Sequence, residues 1–426
     1  MAYLNGGLWA IGNGLASSSL VVYLALELDA PGLGLGIGVL LAAPRIAGLL
    51  QLAAPAMIAR LGDRKRFCVG TMLASAVVLF GLPFAASPDC LPSPRMSLAA
   101  LALLWCVYHL LEYLGRVALW SWFADLVPVR IRGRFFGIRE RWMTSGQAVA
   151  MVSAGLFTWG WHNQWYPDLP RWIGYAIPAI AGTLFMAGSV IPLARIPGLA
   201  AGRTGPPTAT LRTLAAPFAD KRFRRLLLFG CWFSFFNGVT QTAQNIFPYR
   251  VLGLTLFVML ALKTGMRMGQ LAISPWMGKL ADRFGNKPVM IATLPVVAAG
   301  PAFFLVAGAA GWWWLTGAWA VWIAYAGLNV CLPNLMLKIS PGQTNTPHIA
   351  TYYAVTGFAT AVSTLIGGWM FDNFADYYFS FPFAGEAYSL DFYQYSFLFG
   401  WITRTMGVLL LLLVIERPGG QAAEKW

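Results

Sequence analysis

An all-α polytopic membrane protein is the fold class this sequence predicts, with twelve transmembrane helices forming two pseudo-symmetric six-helix bundles. Three observations predict it. The 426-residue chain is 58% hydrophobic and only 11% charged, with a mean hydropathy of +0.62, which is more apolar surface than a soluble domain can bury. Apolar runs of the ~20 residues needed to cross hydrocarbon recur along its whole length. The basic residues gather in alternate segments between those runs, as cytoplasmic loops do.

Gly, Pro and charge punctuate the runs, which are centred near residues 15, 47, 77, 111, 148, 184, 238, 266, 298, 325, 361 and 406. The first begins near Leu4 without a basic leader and reaches Glu27 without a cleavage site, so it reads as a retained first span. With the N-terminus inside, the inner segments hold 22 of the 30 Lys and Arg residues, and the outer ones only Arg95, Arg171 and Arg250. Both termini are therefore expected in the cytoplasm. The net charge of +14 then reflects topology, and no nucleic-acid partner is expected. The outer segment 373–395 is instead acidic and aromatic, with Asp376, Glu386 and Asp391 among Phe and Tyr.

The longest inner segment contains AGRTGPP and then ADKRFRR, a flexible linker followed by a stretch suited to anionic headgroups. It divides the chain into an N-terminal bundle over 1–195, a linker over 196–224 and a C-terminal bundle over 225–426. Of the five cysteines, only Cys90 lies outside an apolar run, so no disulfide framework is implied. There is no GxxxxGKS or GxxxxGKT loop and no HExxH motif, and only three His are present. No enzyme, catalytic residue, metal site or cofactor is expected.

The two halves carry related segments. QLAAPAMIARLGDR (51–64) aligns without a gap on QLAISPWMGKLADR (270–283), with six identities in fourteen positions, and Asn13-Gly14 is echoed by Asn237-Gly238. The stretch GKLADRFGNK at 278–287 then resembles the signature that follows the second helix of each half in the major facilitator superfamily. The matching positions are Gly278, Asp282, Arg283, Gly285 and Lys287. In the first copy Ala59 replaces the leading Gly, and two residues are missing between Arg64 and Lys65. ADLVPVRIRGRFFGIRER at 124–141 is similar to the family's acid closing span 4 and basic turn into span 5. No acid closes span 10, which ends LMLKIS.

That resemblance implies a secondary active transporter that exposes a central site alternately to either side. Asp63, Arg64, Asp125, Gly278, Asp282 and Arg283 are the expected gating residues. Asp63 is expected to face the start of span 11 near Ile349, and Asp282 the start of span 5 near Phe135, where free N–H groups and the helix dipole favour an anion. Arg64 would pair with Asp125, and Gly278 would let helices approach closely.

Charge inside a span costs ~2.5–3.5 kcal/mol on insertion scales and is a functional hypothesis by default. Five basic residues lie there: Arg45, Arg116, Lys263, Arg267 and Arg404. In HLLEYLGR (109–116), His109, Glu112 and Arg116 share one helix face. They read either as a self-neutralised pair that packs the bundle or as a proton relay, with Glu112 and His109 as the coupling groups. Arg45, Arg116, Lys263 and Arg267, with the amides Asn237 and Gln241, form the expected substrate site. Gln244, Asn245, Asn329 and Asn334 add further amides, and helix–helix hydrogen bonding is the alternative role for all of these. Arg404 is set aside because span 12 packs outside the cavity in the family. Tyr352 and Tyr353 are expected as interfacial anchors.

The expected function is transport of a small organic anion with proton coupling, by a monomer in the bacterial cytoplasmic membrane. Its partners would be a small-molecule substrate and the lipid bilayer. Alternatives are an exporter of amphipathic or aromatic compounds and a non-transporting receptor on a transporter fold.

Overall fold

Caps and breaks in the sequence set the helix boundaries. The computed structural model describes all residues except 51–56, 59, 61–62, 89, 199–216, 309–310, 340–344, 384–385 and 417–426. The first apolar run is two helices, α1 (Ala2–Leu15) and α2 (Ser18–Glu27). The Ser17 side chain accepts the Leu20 N–H at 3.4 Å and restarts the helix. Next come α3 (Leu33–Leu50), α4 (Arg64–Phe80) with its short continuation α5 (Leu82–Ala85), and α6 (Pro94–Leu126). Ser93 caps α6 and Pro94 opens it, where its missing N–H is harmless. Helix α7 (Val129–Gly160) ends in a π-helical turn, Trp161–Trp165, and α8 (Arg171–Ala194) follows.

The second half of the chain begins with α9 (Lys221–Arg250) and α10 (Leu256–Phe284). Helices α11 (Asn286–Ala298) and α12 (Gly300–Val306) form one near-continuous rod. So do α13 (Trp314–Val321) and α14 (Tyr325–Ile339), joined by a 3-10 turn. After α15 (Asn345–Phe374), the acidic aromatic segment forms a hairpin. Its strands β1 (Phe379–Phe383) and β2 (Glu386–Leu390) pair antiparallel, with Phe379 opposite Leu390. Helix α16 (Phe392–Leu412) starts from a reciprocal capping box between Asp391 and Gln394.

Among the described residues, nine helices, counting continuous rods as one, are long and apolar enough to cross a membrane. The runs around 47, 148 and 238 are helical too. Helix α3 is apolar but shorter. Helices α7 and α9 are long enough but diluted by basic first turns and interior amides.

The chain forms two compact units. One comprises Met1–Thr208 and Gly253–Thr264, the other Ala209–Leu252 and Gly265–Trp426. In the first, α1 packs on α7 and α8, and α4 on α6 and α8. In the second, α9 packs on α15 and α16, and α11 on α14 and α16. The Asn-Gly echo marks the same joint in both. A Cβ on Gly14 would come within 2.7 Å of the Gln147 carbonyl on α7, and one on Gly238 within 2.7 Å of the Thr360 carbonyl on α15. Tyr352 is buried against Gly230 at the same α9–α15 contact, which corrects the expectation of an interfacial anchor; Tyr353 is exposed.

Candidate functional site

Three ladders of four-residue spacing converge inside the first unit. Helix α1 supplies Asn5, Trp9 and Asn13; α7 supplies Arg139, Met143 and Gln147; α6 supplies Tyr108 and His109, Glu112 and Arg116. Asn5 and Arg139, like Asn13 and Gln147, are 134 residues apart and bonded, so α1 and α7 run parallel in constant register. Gln147 Nε2 donates to Asn13 Oδ1 at 2.7 Å, and Asn13 Nδ2 donates to the Tyr108 hydroxyl at 3.5 Å. Arg139 Nη2 donates to Asn5 Oδ1 at 3.4 Å, while Asn5 Nδ2 donates to the Ser189 carbonyl at 2.9 Å. A single residue of slippage would break the whole set.

Glu112 is buried, and its Oε1 accepts from Arg116 Nε at 2.9 Å and Nη2 at 2.5 Å. The Arg116 guanidinium also lies 5.5 Å from the Trp9 ring centroid and 4.7 Å from that of Tyr113, a geometry that favours a cation. Arg139, counted from sequence as part of a basic turn, is instead 5% exposed, because α7 starts as early as Val129 and carries it inward. The cluster thus holds two guanidinium groups, of which Arg116 pairs with the buried carboxylate and Arg139 with Asn5. The His109 ring sits edge-on to Trp105 at 4.5 Å, and neither of its nitrogens has a hydrogen-bond partner among the described residues. Trp9 Nε1 and Arg139 Nε are likewise buried donors without an acceptor there. The cluster can hold a proton at Glu112 and offer N–H groups to an oxygen-rich solute.

The other expected substrate residues divide between the two units. Arg45 is exposed on α3. Lys263 donates to Ser19 Oγ at 2.5 Å within the first unit, where Tyr23 also donates to the Leu254 carbonyl at 2.9 Å. Arg267 is exposed on the part of α10 that belongs to the second unit. Asn237 and Gln241 lie on α9 in that unit, with the Gln241 carbonyl accepting from Asn245 Nδ2 at 2.9 Å. Arg404, set aside from sequence, is completely buried there and donates to Thr240 and to the Asn237 carbonyl.

The two copies of the repeated signature adopt different local structures. Asp63 is the N-cap of α4: Oδ1 accepts the Arg66 N–H at 3.0 Å, and Oδ2 pairs with Arg66 Nε at 3.2 Å. In the second copy the N-cap of α11 is Gly285, at φ +94°, a left-handed conformation that glycine tolerates. It has no side chain to offer. Glu416, beyond the end of α16, takes that place: it accepts the Asn286 N–H at 3.1 Å, Asn286 Nδ2 at 2.9 Å, the Lys287 N–H at 2.8 Å and Lys338 Nζ at 3.0 Å. Burial pushes its carboxyl up, but these donors outweigh burial and hold it below its ordinary 4.5. The loop shortened in the first copy explains the difference, since it brings Asp63 itself to the cap. Asp282 and Arg283 are exposed, with the Arg283 guanidinium 5.1 Å from the Phe284 ring. Space beside Gly278 is open among the described residues, so no close helix approach depends on it. The Asp125 side chain, and with it the expected pairing with Arg64, lies outside the described residues, as does most of the first repeat segment.

No protein-family model matches the sequence, and no curated protein matches it either. Solved structures do. A variant of the nucleoside transporter NupG superposes with a TM-score of 0.71 at 14% identity, covering 97% of this chain and 99% of that one. The D-xylose-proton symporter gives 0.66 at 16% identity, over 97% and 96% of the two chains. The inward open conformation of the xylose transporter XylE from E. coli gives 0.63 at 15%, over 99% and 96%. These matches run from end to end, and with the membrane-length helices they make one statement. The chain is a multi-pass integral membrane protein with the fold of the major facilitator superfamily of transporters.

Proposed function

We propose that the protein is a twelve-span secondary transporter of two six-helix bundles, working by alternating access, with the α1–α6–α7 cluster as its working site. The observation that carries this reading is the end-to-end likeness to transporter structures, joined to a buried, partly unsatisfied polar cluster inside membrane-length helices. Polar residues in such helices are costly and concentrate where solutes or protons move. Glu112 is the proton-coupling group and His109 its neighbour. Asp63, Arg64, Asp125, Asp282 and Arg283 form the cytoplasmic gate. The protein works as a monomer in a bacterial cytoplasmic membrane with both termini inside.

The substrate in this reading is a small organic anion, supported by the second buried guanidinium of the cluster, Arg139, which unlike Arg116 does not pair with Glu112. A neutral hydroxylated solute is the second reading. The names of the similar structures favour it, a nucleoside transporter and a xylose symporter, as do the Asn13–Gln147 amide pair and the flanking Trp9 and Trp105. Uptake into proteoliposomes across three panels, organic anions, sugars and nucleosides, decides between them. Saturable uptake confined to the anions supports the first reading, and uptake confined to sugars or nucleosides supports the second.

A further inference from the structure

We propose that the second unit holds a buried binding site for a compact monovalent anion of the halide class, centred on Arg404 between α9 and α16. Arg404 is 0% exposed. Its Nη2 donates to the Thr240 hydroxyl and, at 3.3 Å, to the Asn237 carbonyl, both neutral acceptors. Thr240 is already engaged, donating to the Asn237 carbonyl at 3.2 Å and accepting from Gln244 Nε2 at 3.4 Å. The Nε and Nη1 groups have no acceptor among the described residues, and no carboxylate there pairs with the guanidinium. The titratable group close enough to act on it is the Tyr325 phenol.

Packing alone does not call for this arginine. In the first unit Gly182 of α8 lies against Ala16, and Met186, one turn on, lies against Gly12. In the second unit Gly400 of α16 lies against Thr240, and Arg404 is one turn on. The position that a thioether fills in one unit carries a full charge in the other. A buried cation with open donors is costly in an apolar bundle, and an anion supplies both the countercharge and the acceptors. Complete burial favours a compact ion over the carboxylate of a larger solute, as does the tight neighbourhood, where Trp232 Nε1 donates to the Thr403 carbonyl at 2.8 Å.

The test is thermal unfolding of the purified full chain while chloride replaces gluconate at constant pH and ionic strength. Binding to the folded state alone raises Tm saturably, here by a few degrees. Arg404→Met, which installs the residue found in the first unit, should remain monodisperse and lose the chloride dependence. Equal Tm in both anions for the parent, or an undiminished chloride response in Arg404→Met, would overturn the proposal. If that variant does not fold, Arg404→Lys serves, because one compact ammonium replaces the forked donor set. Its half-saturating chloride concentration should rise at least about tenfold, and an unchanged midpoint would place the anion elsewhere.

Discussion

Glu416 closes the N-terminus of α11 by accepting the Lys287 N–H at 2.8 Å, from 129 residues further along the chain. The bond ties the stretch after α16 to the start of the rod that packs on it, and Lys338 of α14 joins the same carboxylate. Removing it by Glu416→Ala should cost ~1–2 kcal/mol, the range of a lost N-cap with its charge at a helix start. Lys338 is 41% exposed, so its pairing adds little to that figure. Because the folded carboxyl titrates below 4.5, its contribution is complete above that value and is lost as pH falls below it. Thermal unfolding of parent and variant should differ at pH 7, and the gap should shrink as the pH is taken below 4.5.

Asp63 offers a separation of cap from charge. Asp63→Ala removes the acceptor of the Arg66 N–H and should cost ~0.5–2 kcal/mol. Asp63→Asn keeps an oxygen in place and should unfold close to the parent. If the charge also holds the cytoplasmic gate, Asp63→Asn alone should raise labelling of single cysteines on that side by a bulky polar thiol reagent. Unchanged labelling would leave Asp63 as a cap and nothing more.

The close helix contacts predict which glycines are indispensable. Gly14→Leu and Gly238→Leu each force a side chain against a facing helix backbone, and overpacking of that kind costs ~1–3 kcal/mol or more. Monodisperse yield in detergent should fall sharply for both. Gly278→Ala, facing open space, should behave as the parent does despite belonging to the sequence signature.

Hydropathy made the membrane class and the helix positions legible, because each span must bury a run of apolar residues whatever its neighbours do. The Asn13-Gly14 and Asn237-Gly238 echo is only two residues long, yet it marks the same joint in both units, since only a residue without a Cβ fits there. The His109, Glu112 and Arg116 face was legible from spacing. Asn5, Trp9, Arg139 and Gln147 were not, because helix α7 begins earlier than its charges suggest and the register between α1 and α7 is set by packing. The burial of Arg404 was not legible for a similar reason: which face of α16 turns inward depends on Gly400 meeting Thr240. Glu416 carried no local signal, since its partners are distant in sequence.

The Arg116–Glu112 bond has its own consequence. Arg116→Gln strips the buried carboxylate of its countercharge, and breaking a buried pair in this way is strongly destabilising, by ~3–5 kcal/mol. The double variant Glu112→Gln with Arg116→Gln should recover most of that loss, measured by thermal unfolding of each protein. No recovery would mean that Arg116 is held by the Trp9 and Tyr113 rings and not by the carboxylate.

The central claim is that this fold carries solute and that Glu112 couples the movement to protons. Its most direct test is accumulation of a transported solute in proteoliposomes under an imposed pH gradient, compared with exchange of the same solute in the absence of a gradient, for the parent and for Glu112→Gln. The parent should do both, and Glu112→Gln should exchange solute while failing to accumulate it. Absence of any uptake by the parent across anions, sugars and nucleosides, or pH-driven accumulation by Glu112→Gln at the parental rate, would contradict the account.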